Sequence, residues 1–310
     1  MRDMGDTGNQ YFVNGELLND ERVASLVTTI TSTSPIPSIP SLRHILRSQT
    51  SLSKVAALAK CKKLIVFDGI PPIHESRRDA YTSYKSKLLQ LAHDDRYPRH
   101  TALIFCKEWV HLAGALRLAV EHVTTPFLFI HQHDDVLLKP FDLNGCVASM
   151  LKNPNLKHIH LTRYTNKGRH AGGMQDSWDG PVDTVVNGGS QVQLTRCFGW
   201  SDYSHLTTTE YLKHFVLPKC GHGFPETSLH KLFKDMLNGK TDSEIDAIHL
   251  EFGTYLYGGL EDGNYIHHSD GSRDFGAAPH APLRAPVFDR IRRVRTEVSS
   301  LSHSESHERV

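Results

Sequence analysis

The sequence predicts an α/β fold, with a mainly parallel sheet flanked by helices. Three observations carry this reading. Short apolar runs of strand length recur at 23–30, 62–69, 101–106 and 126–132. They alternate with helical patterns near 42–46, 81–92 and, most clearly, 108–123. Polar clusters sit at the ends of two of the runs: Asp68, and the group His133, Asp134 and Asp135. Alternating strands and helices imply parallel pairing with helices on both faces, and ligands of such sheets bind at the carboxyl ends of the strands.

Each element has its own local justification. Residues 1–22 are polar and read as a flexible N-terminal arm. VASLVTTI (23–30) reads as the first strand, followed by the Pro/Ser loop TSTSPIPSIPS. Ser41 is a candidate N-cap for a helix whose apolar positions are Leu42, Ile45 and Leu46. KKLIVFDG (62–69) is a buried strand closed by an Asp-Gly turn, and TALIFC (101–106) is a third strand. In 108–123, Leu112, Ala115, Leu116, Ala119, Val120 and Val123 form one apolar stripe. PFLFIHQ (126–132) is the fourth strand, 143–151 a helix and 156–162 a further strand.

The second half is less regular. Residues 163–180 form a Gly- and charge-rich loop. VVNGGSQVQLT (185–195) reads as two strands around a Gly-Gly turn, and 227–237 as a helix. The tail, 276–310, has Val287, Ile291, Val294, Val298 and Leu301 at 4-3-4-3 spacing, which predicts a short amphipathic helix with a solvated arginine face.

Composition narrows the function classes. A 310-residue chain with 39% hydrophobic and 22% charged residues can bury a substantial core. A net charge of +1 offers no global field for nucleic acid or an acidic membrane. No stretch approaches the length of a transmembrane segment, and the N-terminus has no signal-like apolar region. Five widely spaced cysteines with no CxxC pair argue against a disulfide framework and for a reducing, cytoplasmic setting.

The stretch FLFIHQHDDVLLKP (127–140) delivers two imidazoles and two carboxylates to a strand tip. Hard divalent cations such as Mg²⁺ and Mn²⁺ take carboxylate oxygen, and Mn²⁺ also accepts imidazole. Asp135 is the principal candidate ligand, with His133 as a second and Asp134 facing ribose or sugar hydroxyls. Asp68, before Gly69, is a candidate acceptor for a nucleobase or ribose hydrogen bond, with a plain Asp-Gly turn as the alternative. Thr29 and Thr31 are candidate base contacts, and Arg117, off its helix's apolar stripe, is a candidate phosphate contact. Trp200 and Tyr203 are candidate stacking groups for a sugar face.

Four segments, in order, resemble the nucleotide-sugar glycosyltransferases of the GT-A (Rossmann-like) fold, in particular the family-2-like group. They are VASLVTTITSTSP with the following helix that carries Ser48, then KLIVFDG, then HLAGALRLAVEHVTTPFLFIHQHDDVLLKPF, and GFPETSLHKLFK. A looser similarity continues into YLYGG and HHSDGSR, so the resemblance runs over about 23–237 and on to about 275. It implies a GT-A-like domain over 23–275, with a nucleotide-binding half (about 23–142) and a partly antiparallel acceptor half (about 143–275). It also implies a nucleoside diphosphate sugar donor, with UDP favoured, a saccharide or glycoconjugate acceptor, Mn²⁺ or Mg²⁺, and inversion. Glu226 becomes the candidate general base, with Asp202 next in line. His268 becomes a metal ligand and Arg273 a diphosphate contact.

Two departures stand out. Histidine replaces the first acid of the DxD motif, and the (x)ED segment reads Phe224-Pro225-Glu226-Thr227 without its aspartate. Three rival readings remain. A metallohydrolase of the HxHxDH type needs a histidine where Val136 stands. A sugar-nucleotide nucleotidyltransferase needs a glycine-rich loop, and 31–41 has no glycine. An inactive carbohydrate- or nucleotide-binding relic would bind nucleotide without releasing sugar.

Overall fold

The computed structural model describes residues 10–36, 38–93, 100–166, 182–187, 190–197, 199–259 and 261–269. The chain enters through a hairpin, β1 (Phe12–Val13) and β2 (Glu16–Leu17). Tyr11 beside it is buried, so this part of the expected arm is docked rather than loose. Helix α1 (Asp20–Leu26) follows, where the sequence reading began a strand at Val23. Its cap explains the difference. Asn19 accepts from the Arg22 amide at 2.9 Å, and Asp20 and Glu21 occupy the positive end of the helix. Strand β3 starts only at Val27 and runs to Thr33 (Val27–Thr33).

The next elements follow the predicted alternation. They are α2 (Arg43–Ser51), α3 (Ala56–Lys60), β4 (Lys62–Phe67), α4 (Arg78–His93), β5 (Thr101–Phe105), α5 (His111–Val120) and β6 (Phe127–Gln132). The cap of α2 is Leu42 rather than Ser41, although the Ser41 hydroxyl still accepts from the Arg43 amide at 3.2 Å. A short strand β7 (Asp135–Leu137) leads to α6 (Leu143–Lys152) and β8 (His158–His160). The hairpin β9 (Val182–Asn187) and β10 (Ser190–Arg196) comes next, then β11 (His205–Thr208). A helical run contains α7 (Thr209–Tyr211) and α8 (Leu217–Lys219).

Two further helices are α9 (Pro225–Leu237) and α10 (Asp242–Phe252). Sequence reading passed over α10, yet its signals are present: a Thr241–Glu244 capping box at one end and Gly253 in the left-handed region at the other. Strands β12 (Thr254–Tyr257) and β13 (Ile266–His268) end the described chain.

Among the described residues, nine strands form one sheet in the order β5-β4-β3-β6-β11-β8-β12-β10-β9. The β5-β4-β3-β6 half is parallel throughout. Strand β11 then runs antiparallel to both β6 and β8, β12 returns parallel to β8, and β10 and β9 close the edge antiparallel. This is the GT-A-like α/β architecture the sequence implies: a parallel half, an antiparallel continuation, and a small ribbon of β7 and β13 beside the tip of β6.

Both faces of the sheet are covered. In β6, Phe127 and Phe129 point into one core and Leu128 and Ile130 into another. The first core includes Leu58 of α3 and Val147 of α6, and the second Leu116 of α5 and Phe233 of α9. A third lies beside β4, where Ile65 and Phe67 meet Tyr81, Tyr84 and Leu88 of α4. Pairing of Ser32 with both Val66 and Gln132 aligns the carboxyl ends of β3, β4 and β6. The backbone continues that alignment, with Asp68 N donating to Thr33 O at 2.9 Å and His133 N to Ser32 O at 3.1 Å. The polar strand tips therefore converge. No helix among the described residues is long and apolar enough to cross a membrane.

Leu116 is 1% exposed and central to the second core. Replacing it with alanine is expected to cost about 2–5 kcal/mol, measured by urea denaturation at unchanged m-value.

Candidate metal centre and adjoining cleft

The buried run of β6 ends at a turn, from which the chain enters β7. Across β7, strand β13 pairs antiparallel with His268 opposite Asp135. That register brings a late histidine to the early acidic turn. His268 Nδ1 lies 3.3 Å from Asp135 Oδ1, and its Nε2 lies 3.5 Å from Asp134 Oδ2. One ligand atom from each of Asp134, Asp135 and His268 falls within a 4.8 Å cluster, a set a divalent cation can occupy. The donor chemistry fits Mn²⁺ or Mg²⁺, and Asp134 Oδ1 is buried with no hydrogen-bond partner among the described residues. His133 stands at the edge of the cluster. Its Nδ1 contacts Ser32 O at 3.1 Å, which leaves Nε2, 4.0 Å from Asp134 Oδ2, as the lone-pair nitrogen.

Two buried carboxylates side by side repel, so the surroundings must hold them. Asp135 is fully enclosed, and Arg163 Nη2 lies 3.4 Å from its Oδ1. Burial works against its ionisation. The His268 hydrogen bond and the nearby Arg163 and His268 charges outweigh burial, and its pKa falls below the ordinary carboxylate value. Burial likewise disfavours charge on His268. The Asp135 hydrogen bond and the Asp134 charge reverse that and raise its pKa.

A cleft of about 280 Å³ opens beside this cluster, between the tips of β3, β4 and β6. Ser32, Thr33, Asp68, Gln132, His133 and Asp134 line it, and Trp109 and Phe224 add apolar surface. Asp68 Oδ1 accepts from Gly69 N at 2.7 Å and Val110 N at 2.9 Å. Gly69 is required there: a Cβ would lie 2.2 Å from the Glu108 carbonyl carbon. Burial raises the Asp68 pKa against the opposing pull of those amides.

The sequence candidates divide clearly. Asp68, His133 and Asp134 line the cleft, and Asp135 and His268 join Asp134 in the cluster beside it. Thr29 and Thr31 do not reach it. Thr29 is buried with its hydroxyl 3.1 Å from Cys61 Sγ, and Thr31 accepts from Gln49 Nε2 at 2.8 Å. The strand continues past them, and Ser32 and Thr33 reach its tip instead. Arg117 also points elsewhere. It donates to the carbonyls of Leu217, at 2.7 Å, and Cys220, closing the end of α8. An arginine off the apolar stripe found helix carbonyls before it found phosphate. Trp200 is fully buried against His158, ring centroids 4.2 Å apart, so it is core rather than a sugar platform. Tyr203 is partly buried beneath the Arg163 guanidinium, 3.9 Å from its ring centre. Arg273 and the tail helix lie outside the described residues. Arg163 and Ser204 were missed. The available signal for Arg163 was its place straight after a predicted strand, as for Asp68.

Glu226 and Asp202 form a second carboxylate pair. Glu226 Oε2 accepts from Asp202 N at 3.0 Å, and the Asp202 carboxylate accepts from Glu226 N at 3.3 Å. Trp200 Nε1 donates to Asp202 Oδ1 at 3.1 Å, and Gln132 Nε2 donates to Asp202 O at 2.7 Å. The Gln132 bond joins this pair to the cleft wall. Asp202 is 7% exposed, and burial, reinforced by the Glu226 charge, pushes its pKa up to about 8. At neutral pH it is mainly protonated, whereas Glu226 is only half-buried.

No protein-family model matches the chain, and no curated protein matches it. Solved structures do. TarS 1–349 of S. aureus matches at TM-score 0.42 and 13% identity over 78% of this chain and 60% of that one. The mannosyltransferase PcManGT of Pyrobaculum calidifontis, solved with GDP-Man and Mn²⁺, matches at TM-score 0.32 and 16% identity over 45% of this chain and 36% of that one. A Methanothermobacter nucleotidyl transferase matches at 0.37 and 10% identity, covering 75% and 86%. The chain thus spans about three fifths of the TarS fragment it matches.

The Asp202 carboxyl gives a signed pH prediction. The folded protein keeps a proton that the unfolded chain releases near its ordinary value of 3.8. This group's contribution to stability therefore falls as pH rises from 3.8 toward about 8, then levels off. Asp202→Asn mimics the neutral acid. Its melting temperature relative to the parent is expected to rise progressively between pH 5 and pH 8; a constant offset across that range would contradict the assignment.

Proposed function

We propose that the protein is a glycosyltransferase that moves a sugar from a nucleoside diphosphate sugar, a UDP-sugar first among them, to a hydroxyl of a saccharide or glycoconjugate. The observation that carries this reading is one cleft at the carboxyl edge of parallel strands, lined by the carboxylates of Asp68 and Asp134, with Asp134 also belonging to the Asp134–Asp135–His268 cluster beside it. Asp134, Asp135 and His268, with His133 at the edge, would hold Mn²⁺ or Mg²⁺. Bound there, the cation would neutralise charge on the departing diphosphate. Asp68 accepts from the base, and Ser32 and Thr33 line the same cleft. Arg163 offers a guanidinium beside the acidic turn, and Arg273 is the proposed diphosphate contact from the C-terminal segment.

In the transfer step the acceptor oxygen bonds to the anomeric carbon as the bond from that carbon to the diphosphate oxygen breaks. The hydroxyl proton passes to Glu226, and a single displacement inverts the anomeric centre. Asp202, protonated and buried, positions Glu226 through the paired backbone bonds rather than taking the proton itself. The nucleotide-binding half then corresponds to about 23–142 and the acceptor half to about 143–275, with 276–310 as a tail. All five cysteines are free, which supports a reducing, cytoplasmic setting.

A thermal-shift series with UDP-, GDP- and dTDP-sugars, with and without Mn²⁺, followed by product analysis, tests the reading. A metal-dependent shift with one donor class and sugar release are expected. Pyrophosphate release from a sugar phosphate and a nucleoside triphosphate would instead identify a nucleotidyltransferase. Asp135→Asn is expected to lose the Mn²⁺-dependent shift and transfer while its circular dichroism is unchanged. Glu226→Gln is expected to lower transfer by ~10²–10⁴-fold at unchanged UDP affinity; equal loss of both would reassign it to structure.

A further inference from the structure

We propose that Ser204 and His131 form a buried tether that sets the rotamer of Asp135 and so determines which of its oxygens meets a divalent cation. The proposal rests on the cation reading above and assigns positioning roles to two residues not otherwise engaged by the reaction. Ser204 Oγ donates to Asp135 Oδ2 at 2.9 Å. His131 Nδ1 lies 2.7 Å from the same Oγ. A serine hydroxyl has one hydrogen, and the carboxylate has none to give. The His131 Nδ1–H must therefore donate to Oγ, which fixes the tautomer and leaves Nε2 bare.

The three residues are sealed from solvent: Asp135, His131 and Ser204 are each 0% exposed. They also stand on rigid elements. His131 is in β6 and stacks on Phe129, ring centroids 5.9 Å apart. Ser204 immediately precedes β11, and its carbonyl accepts from Leu161 N at 2.9 Å, next to the end of β8. The antiparallel pairing of His205 with Ile130 brings Ser204 alongside His131.

The carboxylate is thus divided. Oδ2 is held by the tether, and Oδ1 is turned toward His268 Nδ1 and Arg163 Nη2. Without the tether, Asp135 could rotate and present either oxygen, and the cluster would lose its preset spacing. Outer groups that orient metal ligands commonly change metal affinity 10–100-fold.

The test is Mn²⁺ titration of the full-length protein, read by the electron paramagnetic resonance signal of free Mn²⁺ in the absence of nucleotide. Ser204→Ala and His131→Leu are expected to weaken Mn²⁺ binding ~10–100-fold. His131→Asn, which puts an amide N–H near the place of Nδ1, is expected to stay within about threefold of the parent. Metal-free uridine binding should be unchanged in all of them. Ser204→Cys, similar in volume but a weaker donor, should fall between and serves if the alanine variant fails to fold. Parent-like Mn²⁺ affinity in folded Ser204→Ala or Ser204→Cys, or equal losses in His131→Asn and His131→Leu, would overturn the tether alone. Absence of Mn²⁺ binding by the parent protein would overturn the cation reading, and the tether with it.

Discussion

Placing two carboxylates at an almost waterless strand tip is the constraint on which this molecule turns. Ionised acids lose solvation there and repel one another, so the site persists only if positive or hydrogen-bonding groups surround it. The protein draws those groups from distant parts of the chain: His268 from β13, Arg163 from just past β8, and Ser204 from the approach to β11. Much of the topology serves that gathering. The mixed second half of the sheet brings β8 and β11 against the parallel half, and the β7–β13 ribbon supplies the last partner.

The parallel half was legible in the sequence because its signals are local. Strands β4 and β6 are apolar runs ending in polar residues, and α5 is an amphipathic stripe. Asp68, Asp134 and Asp135 followed from that pattern, since carboxyl ends of neighbouring parallel strands must lie together. Helix α1 was misread because its apolar run has strand length, while the deciding signal was the Asn19 cap just before it. Arg163 and Ser204 were not legible for another reason. Their positions depend on antiparallel pairings between segments remote in sequence, and no local pattern states that register. Arg117 and Trp200 failed through competition. Each residue type suits a ligand, but each found a nearer partner inside the protein.

The two carboxylate pairs divide the labour by environment. At the β6 tip, cationic neighbours keep Asp135 ionised and suited to a metal. At the start of α9, burial and the adjacent Glu226 keep Asp202 protonated. Asp135 is therefore held as an anion while Asp202 retains its proton. The Gln132 side chain, which lines the cleft and donates to Asp202 O, is a physical link between the two.

The ribbon of β7 and β13 has a consequence for the order in which the site matures. Asp135 and His268 are 133 residues apart, so a growing polypeptide exposes its acidic turn long before the imidazole that completes it leaves the ribosome. Until then β7 is an open edge, and the carboxylates lack their closing partner. Under the proposed reading, a cation would find its full ligand set only after residue 268 has been made and β13 has paired with β7.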